Sequence, residues 1–453
     1  MNRKVKKQSL FAKSCYSNVR KENRIICKKT KQNNNRKKTK KHKKEENKKM
    51  QNRNEGITLI ALIITIIILL ILVGVSINLA IKGDLFGSAE KAVSGTNDKT
   101  AQEQTRVDEL MGELGRVEEQ QRQDNLPGTR VTENTKYVSN GKTAWIPKGF
   151  TVSGIKSEQS IDNGLVIYDI PEGITPDWSN PDSVKTKYNQ FVWIPVEVKS
   201  TDTENSIASF YRSEWTANAS TGGERTTGLS TDYTEPDSTN DTADKTEIAG
   251  QITELTKSIY KYGGFYIGRY EAGSTTERTS SSLQTEPFVV QQDKYPYNYV
   301  NWGKSMSDVS EGAVYLCNNL YTPTNTNYGA TSMLCTGASW DSMLDFIKDE
   351  EHNVVPSSTD WGNYSNSETY TINRGKYAVF NTSTDKLEKF QDVGNEYSKE
   401  KDKSILLTTG ASERNSAKNI YDVAGNVLEW TTESRSSSDA RVDRGRWLLQ
   451  QWF

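Results

Sequence analysis

The chain has 453 residues, and its 58 Lys and Arg balance 58 Asp and Glu, yet that neutrality conceals a division. Residues 1–56 hold 21 basic residues against 4 acidic ones, a net +17, so the other 397 carry −17. A hydrophobic content of 34% with 31 Gly and 11 Pro excludes a collagen-like or wholly disordered chain and is low for one large packed enzyme. Four Cys exclude a disulfide scaffold, and only two His, His42 and His352, leave no His triad and no multi-His metal site.

Residues 1–56 read as a basic cytoplasmic leader. Its Lys-rich part, such as Lys37-Lys38-Thr39-Lys40-Lys41, has the charge to meet acidic lipid or nucleic acid. A solvated tail, or a true start at Met50, is the expectation, with no nucleic acid among the partners. From Ile57 to Val75 only Thr58, Thr65 and Gly74 interrupt an apolar run, which Ile77, Leu79 and Ile81 continue. At about 1.5 Å per residue, roughly 20–25 helical residues cross a hydrocarbon core of about 30 Å. Residues 57–81 are therefore predicted to be a single membrane span. The cationic flank keeps the N-terminus inside and places everything after it outside the cell.

The junction Asn54-Glu55-Gly56-Ile57-Thr58-Leu59-Ile60-Ala61-Leu62 resembles a type IV prepilin leader junction. That resemblance implies cleavage by a prepilin peptidase after Gly56, a new and often methylated N-terminus at Ile57, and assembly with pilin-like subunits. Ile57 stands where Phe is common, and Ala61 where a Glu normally pairs with a neighbouring subunit. Residues 82–125 are predicted to be a helical stalk. Val107, Leu110, Met111, Leu114 and Val117 recur at spacings of three and four on one face, which is either a seam for a partner helix or a face half covered by the next domain.

Residues 130–185 are predicted to be a small β-rich module, from short runs such as Gly164-Leu165-Val166-Ile167-Tyr168 between Gly and Asn turns. A larger domain then occupies 189–453. Within it, 199–249 is poor in hydrophobics and rich in Ser, Thr, Asp and Gly, the composition of a disordered insertion.

Three blocks of this domain occur in the order found in the formylglycine-generating-enzyme, or sulfatase-modifying-factor, superfamily. They are Gly264-Phe265-Tyr266-Ile267-Gly268-Arg269-Tyr270-Glu271, Ser332-Met333-Leu334-Cys335-Thr336-Gly337-Ala338-Ser339-Trp340, and Asn419-Ile420-Tyr421-Asp422-Val423-Ala424-Gly425-Asn426-Val427-Leu428-Glu429-Trp430. The resemblance covers roughly 190–453 and implies an α+β head with a C-type-lectin-like fold. Acidic residues are usual where Gly337 and Ser339 stand, and Pro where Cys335 stands.

The third block offers oxygen ligands of the kind calcium takes: Asp422, the carbonyls of Gly425 and Val427, and Glu429. The resemblance implies calcium on the same segment. The other reading is that Asn426 and Glu429 brace the loop by hydrogen bonds. Trp430 reads as core. Catalytic members of the superfamily use a Cys pair near the C-terminus, and no Cys follows Cys335, so the head is expected to be non-catalytic. Cys317 and Cys335 are either a disulfide or two buried thiols.

Trp447-Leu448-Leu449-Gln450-Gln451-Trp452 permits a neighbouring frame reading Gly-Tyr-Tyr-Asn-Asn-Gly, which leads to the expectation of a frameshift near Gly445 and a truncated head. Tyr295, Tyr297, Tyr299 and Trp302 alternate as on one strand face, either core or a platform for an extracellular carbohydrate or protein. The sequence thus describes a membrane-anchored, pilin-like surface protein displaying a lectin-like binding domain. A formylglycine-generating-type oxidase with a lost Cys pair and a structural minor pilin are the alternatives.

Overall fold

The computed structural model describes residues 89–226, 233–235, 242–278, 286–303, 312–355, 357–381, 383–384, 386–435 and 441–445. The basic leader, the Gly56–Ile57 junction and the span 57–81 lie outside the described residues. Among the described residues no helix is long and apolar enough to cross a membrane. Helices and antiparallel sheets are interspersed along the chain, which makes the described part α+β.

The chain divides between Glu109 and Leu110 into two compact units. Helix α1, Ala89–Asp124, runs through that division. Its sequence is dominated by good helix formers, and pairs such as Gln104–Asp108 and Gln120–Asp124 hydrogen-bond four residues apart along its surface. Val107, Leu110, Met111, Leu114 and Val117 are all exposed, so no other described element covers that face. Gln123 anchors the last turn: its Nε2 donates to the Lys136 carbonyl at 3.0 Å and its Oε1 accepts from the Val138 amide at 2.9 Å.

Next come β1 (Thr135–Ser139) and β2 (Lys142–Ile146), a hairpin whose Asn140-Gly141 turn places both central residues at positive φ. Strands β3 (Thr151–Val152) and β4 (Val166–Tyr168), the short helix α2 (Pro181–Lys185) and β5 (Gln190–Pro195) follow. The segment 130–185 is no separate module: β3 and β4 belong to one four-stranded sheet with β5 and the later strand Gly264–Gly268, which pairs with β5 at its outer side. Val166, Tyr168, Val192 and Ile194 are buried in one cluster while Leu165, Ile167 and Trp193 belong to another, so this sheet carries apolar residues on both faces.

Part of the 199–249 segment is ordered, contrary to its composition. Strands β6 (Glu214–Thr216) and β7 (Glu224–Thr226) form a hairpin, and α3 (Thr242–Tyr262) begins before the segment ends. Ile207 and Ile248 are buried in core clusters, and tertiary polar bonds add to that burial. The fully buried Asp341 accepts from the Ser213 amide at 2.7 Å, Trp215 Nε1 at 3.2 Å and Arg212 Nη1 at 2.9 Å. Arg212 also meets Glu433 at 2.6 Å.

Strand β8 (Tyr233–Thr234) joins a second sheet, and β9 (Gly264–Gly268) completes the first. After β10 (Gly273–Ser274) and β11 (Tyr295–Pro296) come helices α4 (Ala313–Leu320) and α5 (Gly337–Ile347), the latter capped by Thr336, whose side chain accepts from the Ser339 amide. The remaining strands are short: β12 (Tyr370–Ile372), β13 (Lys376–Asn381), β14 (Lys386–Leu387), β15 (Gln391–Asp392), β16 (Tyr397–Lys399), β17 (Ile405–Leu407), β18 (Ser416–Ala417) and β19 (Ile420–Tyr421). Strands β20 (Glu429–Arg435) and β21 (Arg441–Arg444) close the second sheet in the order β21-β20-β8. A Cβ on Gly337 would lie 2.3 Å from Glu433 Cδ, so the carboxylate on β20 occupies the space a side chain there would need.

Candidate functional site

Strands β5, β9 and β20 and helices α3, α4 and α5 border a half-open cavity of about 1490 Å³. Protein interiors hold few voids larger than a water molecule, and ligand pockets usually span roughly 300–1,000 Å³. The lining is rich in aromatic side chains, among them Phe191, Trp193, Tyr266 and Trp430. It includes Glu247, Glu254, Glu271, Glu429 and Asp443, but no Lys, Arg or His among the described residues.

Glu271 and Glu429 lie with Asp422 in one acidic cluster. Burial pushes Asp422 up to about 7 and Glu429 up to about 8, the Asp422 charge adding to the second shift. Glu271 stands well above the ordinary carboxylate range through burial and the nearby charges of Asp422 and Glu429. No ion pair to any of the three is found among the described residues. Asp422 Oδ2 accepts from the Gly410 amide at 2.7 Å and the Asn415 side chain favours the charged carboxyl, whereas Oδ1 has no hydrogen-bond partner among the described residues.

The loop holding this cluster is fixed by amide side chains. Asn426, fully buried at φ +64°, donates from Nδ2 to Glu271 Oε2 at 2.8 Å and to the Leu407 carbonyl at 3.2 Å. Its Oδ1 accepts from Asn363 Nδ2 at 2.9 Å and from the Leu407 amide at 3.0 Å. The Val427 amide donates to Glu271 Oε1 at 3.3 Å. Gly425 has φ +85°, and a Cβ there would meet the Asn363 carbonyl oxygen at 2.4 Å, so the turn accepts only glycine. Asn426 therefore braces the loop, while Glu429 is turned to the cavity.

Of the expected calcium ligands, the structure brings Asp422 and Glu429 together and adds Glu271. Among the described residues no three His, Cys, Asp or Glu are grouped so as to hold a metal ion. The orphaned Asp422 Oδ1 is nonetheless an oxygen of the kind a hard cation takes.

The aromatic platform is not present as expected. Tyr295 lies in the two-residue β11, Tyr297 is buried with its hydroxyl donating to the Glu286 carbonyl at 2.7 Å, and Trp302 is buried with Nε1 donating to the Thr431 carbonyl at 2.6 Å. Tyr299 alone is exposed, and its φ of +57° breaks the extended run that would have aligned the four rings. Trp430 is partly buried, donating to the Val300 carbonyl at 3.0 Å and lining the cavity.

Cys317 and Cys335 are free thiols that also line the cavity. Burial pushes Cys317 up to about 12. It raises Cys335 well above the ordinary range, with Glu429 and Glu235 adding to the effect. Protonated thiols of this kind are weak nucleophiles.

A second charged centre lies at Arg269, which is 1% exposed. Its Nη1 is 2.8 Å from Glu158 Oε1, and Lys185 Nζ reaches the same oxygen at 3.1 Å. Arg269 also donates to Tyr168 and Gln190, at 3.2 and 3.1 Å. Burial pushes Glu158 up, but the Arg269 and Lys185 charges and two hydroxyl donors outweigh it and hold the carboxyl below its usual value.

Sequence reading passed over Glu271, Glu158 and Asn363. Glu271 was within reach, because it ends the first block and supplies the carboxylate that meets the third. Comparison with protein-family models, with curated proteins and with solved structures gives no match.

Proposed function

We propose that the chain is a membrane-anchored, pilin-like surface protein whose C-terminal part is a non-catalytic, lectin-like binding domain of the sulfatase-modifying-factor kind, with its ligand seat in the 1490 Å³ cavity. That cavity carries the reading. It joins an aromatic, largely apolar lining to the carboxylates of Glu271 and Glu429, for which no ion pair is found among the described residues, and this is the make-up of a site for ligands rather than of a packed interior. The apolar run at 57–75 and its cationic flank support the anchor.

Calcium belongs to the same proposal. Asp422, the Gly425 and Val427 carbonyls and Glu429 would hold it, and the orphaned Asp422 Oδ1 supports that placement. The uncovered apolar face of α1 from Val107 to Val117 favours a second reading beside binding, assembly with the helices of pilin-like subunits. Protease added to intact cells tests the display: digestion of the C-terminal part with retention of a membrane-bound N-terminal fragment is expected. Full protection in intact cells with recovery in the soluble cytosolic fraction rejects it.

A further inference from the structure

We infer that a shallow depression beside the large cavity is a second, calcium-independent seat, which takes an acidic saccharide by packing a sugar ring on Trp145 and Tyr262 and holding its carboxylate with Lys148 and Lys261. This goes beyond the reading above, whose ligand occupies the large cavity. The depression has a volume of about 580 Å³, within the usual range of ligand pockets. It forms where residues 132–134, β2 with the turn after it, and the C-terminal end of α3 meet. Trp145 and Tyr262 also line the large cavity, whereas Thr132, Glu133, Lys148 and Lys261 line the depression alone. The two rings are half-buried, with centroids 5.5 Å apart and planes tilted by 58°. Asn134 holds them in place: its Nδ2 donates to the Tyr262 hydroxyl at 3.2 Å, and its Oδ1 accepts from the Lys148 amide at 2.9 Å. The Gly329 amide donates to the Lys148 carbonyl at 2.8 Å, and a Cβ on Gly329 would lie 2.5 Å from Asn134 Oδ1, so a side chain there would displace the brace.

Charge and shape select the class of ligand. No carboxylate is paired with Lys148 or Lys261 among the described residues. Lys261 Nζ lies 4.9 Å from the centroid of the Tyr262 ring, and its bond to the Tyr262 hydroxyl holds that group below its ordinary pKa. Glu133 is the one acidic residue of the lining among the described residues, and Arg122 is near enough to feel its charge. The depression is therefore net cationic, and an anion entering it finds two amines that no ion pair engages. A flat aromatic anion would cover one ring and miss the other, because the planes are tilted. A sugar ring carries C–H bonds on its faces and hydroxyls around its rim. The C–H bonds meet both aromatic faces, and the hydroxyls reach Asn134 as acceptors and Glu133 as donors.

The test is isothermal titration of the full-length chain in detergent micelles with three soluble probes. Tetragalacturonate has rings and charge, its methyl ester keeps the rings without the charge, and tetraglutamate keeps the charge without the rings. Tetragalacturonate is expected to bind at least about tenfold more tightly than either counterpart. Its advantage over the ester should shrink toward one in a Lys148→Gln, Lys261→Gln double variant, whereas Trp145→Ala should weaken both sugars about tenfold. A chelator should change neither affinity. The double variant alters only amines at the rim and should melt like the wild type, so the assignment can be refuted even if Trp145→Ala does not fold. No binding of any probe overturns the inference, as does equal affinity for tetraglutamate or for the ester. A double variant that binds as the wild type does places the anion elsewhere, and loss of binding on chelation places the sugar on a metal ion; either result also overturns it. Digestion of the C-terminal part on intact cells is read separately, so failure here leaves the surface-display reading standing.

Discussion

Arg269 with Glu158 and the Glu271–Asp422–Glu429 cluster are both centres of buried charge, and they are built in opposite ways. Around Glu158, two cations and two hydroxyls meet one carboxylate, and its protonation is suppressed. Around Glu271, amide groups donate to Glu271 and Asp422, no cation is paired with them or with Glu429 among the described residues, and each of the three is driven toward its neutral form. The first centre has its charges matched within the chain, although Arg269 Nε has no hydrogen-bond partner among the described residues, and the rings of Tyr270 and Tyr421 have centroids that both lie 5.5 Å from the guanidinium. The second borders a cavity. Compensation thus separates a structural charge cluster from one left open to a ligand.

The largest expected effect breaks the complete centre. Arg269→Met leaves Glu158 buried with Lys185 as its only cation, and a loss of about 3–5 kcal/mol in denaturant unfolding is expected. A loss under about 1 kcal/mol would erase the distinction between the two centres. Next comes the brace of the open centre. Asn426→Ala orphans Glu271 Oε2 together with the Leu407 amide and carbonyl, and roughly 2–4 kcal/mol of stability should disappear.

Removing charge from the open centre has the opposite sign. In a cation-free buffer at pH 8, Glu429→Gln should stabilise the fold by about 1–2 kcal/mol, since burial disfavours the ionised carboxylate it replaces. A destabilised variant under those conditions would mean that the carboxylate already has a partner. Calcium sharpens the same point: added to the wild-type chain at pH 8 it should raise Tm, and Asp422→Ala should abolish the rise. The smallest effect is at the surface, where Tyr299→Ala should change stability by less than about 0.5 kcal/mol, as measured by thermal melting.

Much of the third block was readable in advance because its residues act locally. Gly425 is required by its own φ and by a neighbouring carbonyl, and Asp422 and Glu429 are near in space because they are near in sequence. The α1 helix was equally plain from spacing and composition. What escaped notice depends on long-range contact. Glu271 joins the cluster across 155 residues through Asn426, and Asp341 orders the β6–β7 hairpin from more than 120 residues away. Low hydrophobicity therefore suggested disorder where buried ionic bonds and a few buried apolar residues, Ile207 and Ile248, accompany the order. The aromatic run from Tyr295 to Trp302 misled for a related reason: alternation predicts a strand only while every φ stays extended, and Tyr299 departs.

The open-centre account turns on one sign. Carboxylates whose folded-state pKa lies above the unfolded value stabilise the fold relative to higher pH, so stability is complete below about 4.5 and declines as pH rises toward the folded values of about 7 and 8. The decisive measurement is unfolding free energy between pH 4.5 and 8 in cation-free buffer, for the wild-type chain and for a Glu271→Gln, Glu429→Gln double variant. The wild type is predicted to lose stability steadily across that window and the double variant to lose much less. Parallel profiles would contradict the account, because the cluster would then be compensated like its counterpart at Arg269.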